Sequence, residues 1–179
     1  MNKTETIYLG GGCFWCTEAI FKSVYGVTSA KPGYMGGDIP HPDYDMVSSG
    51  ETGHVEVVEV VYDPELLMIE DLLEIFFELH DSTTKNQQGA DIGTQYRSAI
   101  FCTTQEQLGV AKDIASNVQR HLDEGKFVTT EIDLAKTFYK AEEYHENYYE
   151  KNKNVPYCSI VISPKLEKLQ KDFADKLKQ

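Results

Sequence analysis

The stretch GGGCFWCTEAIF, residues 10–21, sets Cys13 and Cys16 around two aromatics, directly behind three glycines and ahead of a run with helical character. Three chemistries fit this spacing: a redox-active thiol pair, half of a metal site, or one nucleophile beside an apolar pocket. The metal reading is the weakest. A structural zinc site needs four closed ligands, commonly from paired knuckles. Here Cys102 lies in an apolar run, Cys158 has no partner at short spacing, and histidines 41, 54, 80, 121 and 145 show no ligand-like pairing. No metal is expected. The glycines do not match either phosphate-binding pattern, G-x-x-x-x-G-K-[ST] or G-x-G-x-x-G. They suit a tight strand-to-helix turn, which would put Cys13 at a helix N-terminus. There the helix dipole favours the thiolate and would lower its pKa below the free value of about 8.5.

A general disulfide exchanger would need only Cys13 and Cys16. That leaves Glu56 unexplained. Along the strand-like run HVEVVEVVY (54–62) the two-residue period puts Glu56 on one face with Val58 and Val60, and Glu59 on the other. A carboxyl on an apolar face has its pKa raised and becomes a proton donor near neutrality. An exposed strand end is the competing reading, and periodicity does not choose between the two glutamates. Of eleven tyrosines, Tyr44, Tyr96, Tyr148 and Tyr157 fall in or beside irregular stretches. Cys158 follows Tyr157 behind KNKNVP, a segment expected to swing, as a resolving thiol requires.

Positioning these groups takes a real core, and 179 residues supply one. Strands are expected at 6–11, 27–34, 54–62 and 96–102. A helix is expected at 14–25 and another after Asp63-Pro64, with Leu66, Ile69, Leu72, Leu73, Phe76 and Leu79 inward. The order β-α-β-β-α-β is the ferredoxin-like, or split βαβ, arrangement. C-terminal additions follow: an amphipathic helix marked by Leu108, Ala111, Ala115, Val118 and Leu122, a short strand near 129–135, and a terminal helix over 163–179. The expected fold class is α+β with one domain over 1–179. Three stretches, 35–53, 81–95 and 152–158, fit no regular element, and long loops in a compact domain are often functional.

A formal charge of −12 with only two arginines argues against nucleic acid, whose phosphates demand a basic surface. No apolar run approaches a membrane span, and the N-terminus lacks the apolar stretch of a signal peptide. Four cysteines are too few to staple the chain. A cytoplasmic monomer, with no membrane association, is expected.

GCFW with Glu18, PGYMGG, SGETGHVEVV, GADIGTQYRSAIF and AEEYHENYYEKN together resemble the peptide methionine sulfoxide reductase A family, in order from residue 8 to about 162. The resemblance implies the α+β, ferredoxin-like fold read above and reduction of the S epimer of methionine sulfoxide, free or in oxidised proteins and peptides. It makes Cys13 the nucleophile and Glu56, the glutamate of GHVE, the proton donor. Tyr44 and Tyr96 would bind and polarise the sulfoxide oxygen, and Phe14 and Trp15 would line the methyl pocket. Asp91, Tyr148 and Tyr157 would complete the site. Thiolate attack on the sulfoxide sulfur leaves negative charge on oxygen, so donors must be poised there. Cys13 becomes a sulfenic acid, a second thiol condenses with it, and thioredoxin reduces the disulfide. No cofactor is implied. Many members carry glycine where Cys16 stands, and others have two C-terminal cysteines. The favoured resolving thiol is Cys158, with Cys16 the alternative.

Overall fold

β-Branched residues crowd the run from Val55 to Tyr62, and the chain buries that run in the middle of its sheet. In the computed structural model, which describes residues 3–179, β1 spans Glu5–Gly10, α1 Phe14–Lys22 and β2 Val27–Met35. A short helix α2 (Tyr44–Ser48) precedes β3 (Val55–Tyr62) and α3 (Ile69–Glu78). A small hairpin pairs β4 (Gln87–Gln88) with β5 (Asp91–Ile92), ahead of β6 (Ala99–Cys102). Then come α4 (Gln105–His121), β7 (Glu131–Leu134), β8 (Tyr139–Lys140), α5 (Tyr148–Lys151) and α6 (Ser163–Asp172).

The main sheet runs β7-β6-β1-β3-β2-β8. Its four inner strands, β6-β1-β3-β2, each run antiparallel to their neighbours, in the ferredoxin-like order expected from the element sequence. The additions occupy both edges. β7 lies parallel to β6, as the crossover through α4 permits, and β8 lies antiparallel to the outer end of β2. Alternation along the strands divides the interior. Ile7, Leu9, Val58, Val60, Tyr62 and Ile100 join the large core under the helices. Met35, Val55, Val57, Ala99 and Phe101 form a smaller cluster on the opposite face, packed by Tyr8, Ala135 and Phe138. Among the described residues no helix is long and apolar enough to cross a membrane.

Several boundaries differ from the expected ones. α1 stops at Lys22, where Ser23 turns its N–H and hydroxyl back onto Ile20 O, so residues 23–25 are not helical. Leu66 is exposed and Leu67 is buried instead, because the turn after Asp63 completes before α3 begins and shifts the phase. Residues 96–98 are not strand; Tyr96 closes a 3-10 turn, Thr94–Tyr96, ahead of β6. The helix expected over 163–179 ends at Asp172, and a 3-10 turn, Ala174–Lys176, brings Leu177 into a bridge with Val24. The stretches 35–53 and 81–95 contain α2 and the β4–β5 hairpin. Residue 158 belongs to no loop: Cys158–Ile162 form a π-helical turn running directly into α6. Of the span 1–179, residues 1 and 2 lie outside the described residues.

Candidate active site

The turn from β1 into α1 makes the site. Gly12 takes φ +96°, a conformation open to glycine, and a Cβ there would sit 2.7 Å from Gln88 Cγ. This lets the chain reverse tightly enough to make Cys13 the N-cap of α1. Cys13 O accepts the Cys16 N–H at 3.1 Å, and no side chain of the turn itself caps the helix. The first N–H of α1 is satisfied from elsewhere: Phe14 N donates to Glu56 Oε2 at 3.0 Å. One strand and one helix thus hold a carboxyl against the residue that follows Cys13.

Glu56 is 1% exposed, on the same face as Val58 and Val60. The exposed-strand-end reading is therefore overturned for Glu56, while Glu59 is half-buried and accepts from Tyr8 Oη at 3.3 Å. Burial raises the Glu56 pKa to about 8; the Phe14 N–H opposes this and the Asp91 charge adds to it. The carboxyl is a neutral acid at pH 7. Cys13 departs from expectation. Burial and then the Glu56 charge hold its thiol well above the ordinary value, against lowering by the Trp15 N–H and the Tyr157 hydroxyl. The helix-terminal dipole does not win against desolvation, so the resting residue is a thiol.

Three tyrosines close round this pair. Tyr44, at the start of α2, has its pKa pushed up to about 12 by burial, then by the Glu56 and Cys13 charges. Tyr96 is raised by burial and the same two groups, and Tyr157 by burial and Cys13. All three remain protonated donors at neutrality. Tyr157 Oη donates to Asp91 Oδ2 at 2.6 Å, joining the hairpin to the segment before Cys158. Trp15 stacks face to face on Tyr148, 3.7 Å between centroids at 7°, with Tyr157 edge-on at 5.9 Å. Phe14 lies fully buried beneath, against Tyr34 and His145, so it backs the site rather than facing it. Cys13, Glu56, Tyr44, Tyr96, Trp15, Asp91, Tyr148 and Tyr157 thus come together as expected.

The other thiols are deeper. Cys16 and Cys158 are both buried in the large core; burial raises the Cys16 pKa, the Cys158 charge adds to the rise, and Cys16 in turn adds to that of Cys13. The expected swinging segment is instead the helical turn that buries Cys158 completely. Cys102 is buried in β6, its pKa raised by desolvation to about 11. No group of three His, Cys, Asp or Glu residues among the described residues is arranged to hold a metal.

Two anchoring residues, Glu142 and His145, were given no role in the sequence reading, and a third, Glu18, entered it only as part of a motif. Glu142 accepts from Tyr34 Oη and Tyr44 N, both at 3.0 Å, fixing α2 from the far end of the chain. His145 is fully buried; its Nδ1 accepts Trp15 Nε1–H at 2.9 Å, which puts the ring proton on Nε2. Glu18 Oε1 accepts Asn147 N at 2.7 Å, tying α1 to the residue before Tyr148, and burial lifts its pKa to about 7. The repeated acidic and aromatic residues in AEEYHENYYEKN were the available signal, but their partners lie about a hundred residues away.

A model of the family described as "Peptide methionine sulfoxide reductase" matches residues 5–177. The chain belongs to the peptide methionine sulfoxide reductase family. A curated member from Sulfolobus acidocaldarius, named peptide methionine sulfoxide reductase MsrA, is 52% identical over 96% of this chain and 97% of its own. Methionine sulfoxide reductase A of Corynebacterium diphtheriae superimposes with a TM-score of 0.82 at 37% identity, over 88% of this chain and 80% of that one. Mxr1 from Saccharomyces cerevisiae, solved in complex with Trx2, gives a TM-score of 0.56 at 27% identity, over 82% of this chain and 85% of that one.

Proposed function

We propose that this chain reduces the S epimer of methionine sulfoxide, free and in oxidised proteins and peptides, as a repair enzyme recycled by thioredoxin. The observation that carries the reading is the buried neutral carboxyl of Glu56, hydrogen-bonded to the residue next to Cys13. A sulfoxide has an electrophilic sulfur and a poor leaving oxygen. Cys13 attacks the sulfur while Glu56 delivers a proton to the oxygen and accepts the one the thiol releases. Tyr44, Tyr96 and Tyr157 donate hydrogen bonds to the developing charge. Trp15, clamped by Tyr148 and His145, offers an apolar edge for the S-methyl group. In the resulting adduct the hydroxyl group moves from the methionine sulfur to the Cys13 sulfur as the bond between the two sulfurs breaks, so methionine leaves and Cys13 is left as a sulfenic acid. Each of the two methionine sulfoxide reductase types acts on one epimer. The relative named MsrA and the family resemblance support the S assignment.

For the second thiol the geometry favours Cys16 over the expected Cys158. Residues three apart on a helix have Cβ atoms about 5–6 Å apart. A disulfide needs about 3.5–4.5 Å, so a small adjustment at the first turn of α1 suffices. Cys158 must first be released from a helical turn, and its place beside Cys16 suits it to exchange onto the Cys13–Cys16 bond afterwards. Thioredoxin as the final reductant is supported by the yeast relative solved with Trx2. The test is turnover of the separated epimers of a blocked methionine sulfoxide with thioredoxin or dithiothreitol. Consumption of the S form alone is expected. Equal consumption of both, or efficient reduction of insulin disulfides without sulfoxide turnover, would refute the proposal.

A further inference from the structure

α6 lies across α1, and two of its lysines, Lys165 and the exposed Lys171, make no salt bridge among the described residues. Lys168 pairs with Glu78 and Lys176 with Asp71, but Lys165 makes no salt bridge among the described residues. Its half-buried side chain lines a narrow, mainly apolar cleft with Thr17, Ile20, Phe21, Phe76, Leu79, His80 and the buried Cys16. An ammonium turned into apolar surroundings is costly unless something there compensates it. His80 does not: its ring nitrogens face Phe76 O and Ser98 Oγ, and burial keeps it neutral, titrating at about 4. Cys16 and Thr17 supply the other polar groups of the cleft, and Lys165 bears on the Cys16 thiol by charge and hydrogen bonding.

We infer that Lys165 is a positioning residue that holds the Cys16 sulfur as the attacking group for the Cys13 sulfenic acid. The inference rests on Cys16 being the first resolving thiol. In the step, Cys16 sulfur bonds to Cys13 sulfur and the S–O bond breaks. The departing hydroxide takes up the proton that Cys16 gave up and leaves as water; the sulfenic sulfur of Cys13 is reduced and the thiol sulfur of Cys16 oxidised to the shared disulfide level. The titratable groups that face Cys16 are Lys165 on α6, Asp91 on β5, Cys158 in the π turn and Cys13 at its own helix start, with His80 across the cleft. Burial raises the Cys16 pKa, Asp91 and Cys158 add to the rise, and Lys165 counters it by charge and hydrogen bonding.

The test uses the full chain, one equivalent of sulfoxide and no external reductant, with methionine release and trapping of the sulfenic acid followed separately between pH 6 and 10. Lys165→Met removes the charge at similar volume. Each unit of pKa gained by Cys16 costs tenfold in thiolate and returns about threefold in intrinsic nucleophilicity. Disulfide formation near pH 7 should therefore slow by roughly 3- to 10-fold, with the sulfenic acid accumulating and methionine release holding. At high pH, where both proteins carry the thiolate, the variant should equal or overtake the wild type, so the two pH–rate profiles cross. Lys165→Arg should restore the wild-type profile. A uniform slowing at every pH, or a profile identical to wild type, overturns the role of Lys165. Cys16→Ser distinguishes the underlying reading: if that variant forms its disulfide at the wild-type rate, Cys16 is not the first resolving thiol, whatever Lys165→Met does.

Discussion

Glu56→Gln keeps the size of the side chain and an oxygen for the Phe14 N–H, but it cannot ionise. In the folded chain this carboxyl titrates at about 8 against an ordinary 4.5. Between those values the native state holds a proton that the unfolded chain has already released. Stability falls as pH rises wherever the native state binds more protons, so Glu56 costs stability progressively from about pH 4.5 to about pH 8. At about 1.4 kcal/mol per pH unit, the whole interval is worth on the order of 5 kcal/mol. The residue is 1% exposed, so solvent screening takes little from it. The variant lacks this slope. Urea unfolding of both proteins at pH 5, 7 and 9, with thiols kept reduced, gives the difference directly. That difference should grow by several kcal/mol in favour of the variant from pH 5 to pH 9. Any fixed offset from the amide drops out, and Glu18, which titrates at about 7 in both proteins, cancels. Parallel pH dependences in the two proteins would refute the buried-acid argument and, with it, the neutral proton donor.

Single-turnover kinetics should show no methionine from Cys13→Ser and a first step slowed roughly 10²–10⁴-fold in Glu56→Gln, the usual worth of a positioned general acid. In the wild type that step should weaken as pH passes about 8, where Glu56 ionises. Gly12→Ala forces a side chain into φ +96° against Gln88, and denaturant titration should report a loss of about 1–3 kcal/mol together with a slower first step. Arg97 donates to Glu131 at 2.9 Å, to Thr94 O at 2.9 Å and to Gly53 O at 3.0 Å. Arg97→Met should cost about 2 kcal/mol in the same titration and lower kcat/KM, because the turn bearing Tyr96 loses its brace.

The inner sheet was legible because strands 5–10, 27–35 and 55–62 carry dense, locally readable patterns of β-branched and apolar residues. The Glu56 face followed from a period of two. What alternation cannot express is distance in sequence. β8 is two residues long and exists because β2 offers it an edge. His145 and Glu142 look like surface residues in an acidic run, yet His145 is buried and Glu142 half-buried because α1 and α2 bring partners to them. Reading Cys158 as mobile relied on the polar KNKNVP before it, whereas Ile162 and Leu169 pull the following helix onto the core. The Cys13 thiol misled in the opposite way. A helix start was correctly inferred, but the enclosure that outweighs its dipole comes from residues 44, 56, 96 and 157 together.

The join between the end of α1 and the C-terminal turn has a consequence for biosynthesis. Tyr25 N donates to Lys176 O at 2.7 Å and Lys178 N to Ser23 O at 2.9 Å, while Cys158, Ile162 and Leu169 roof the helix that begins at Phe14. A ribosome must therefore have released the chain through Lys178 before α1, with Cys13 at its start, can be enclosed. During translation Cys13 and Cys16 are open to any oxidant, and the surroundings that keep Cys13 protonated do not yet exist. Activity should thus appear as one event, when the segment bearing Tyr157 and Cys158 closes over α1, and a nascent chain stalled before that point should present unprotected thiols.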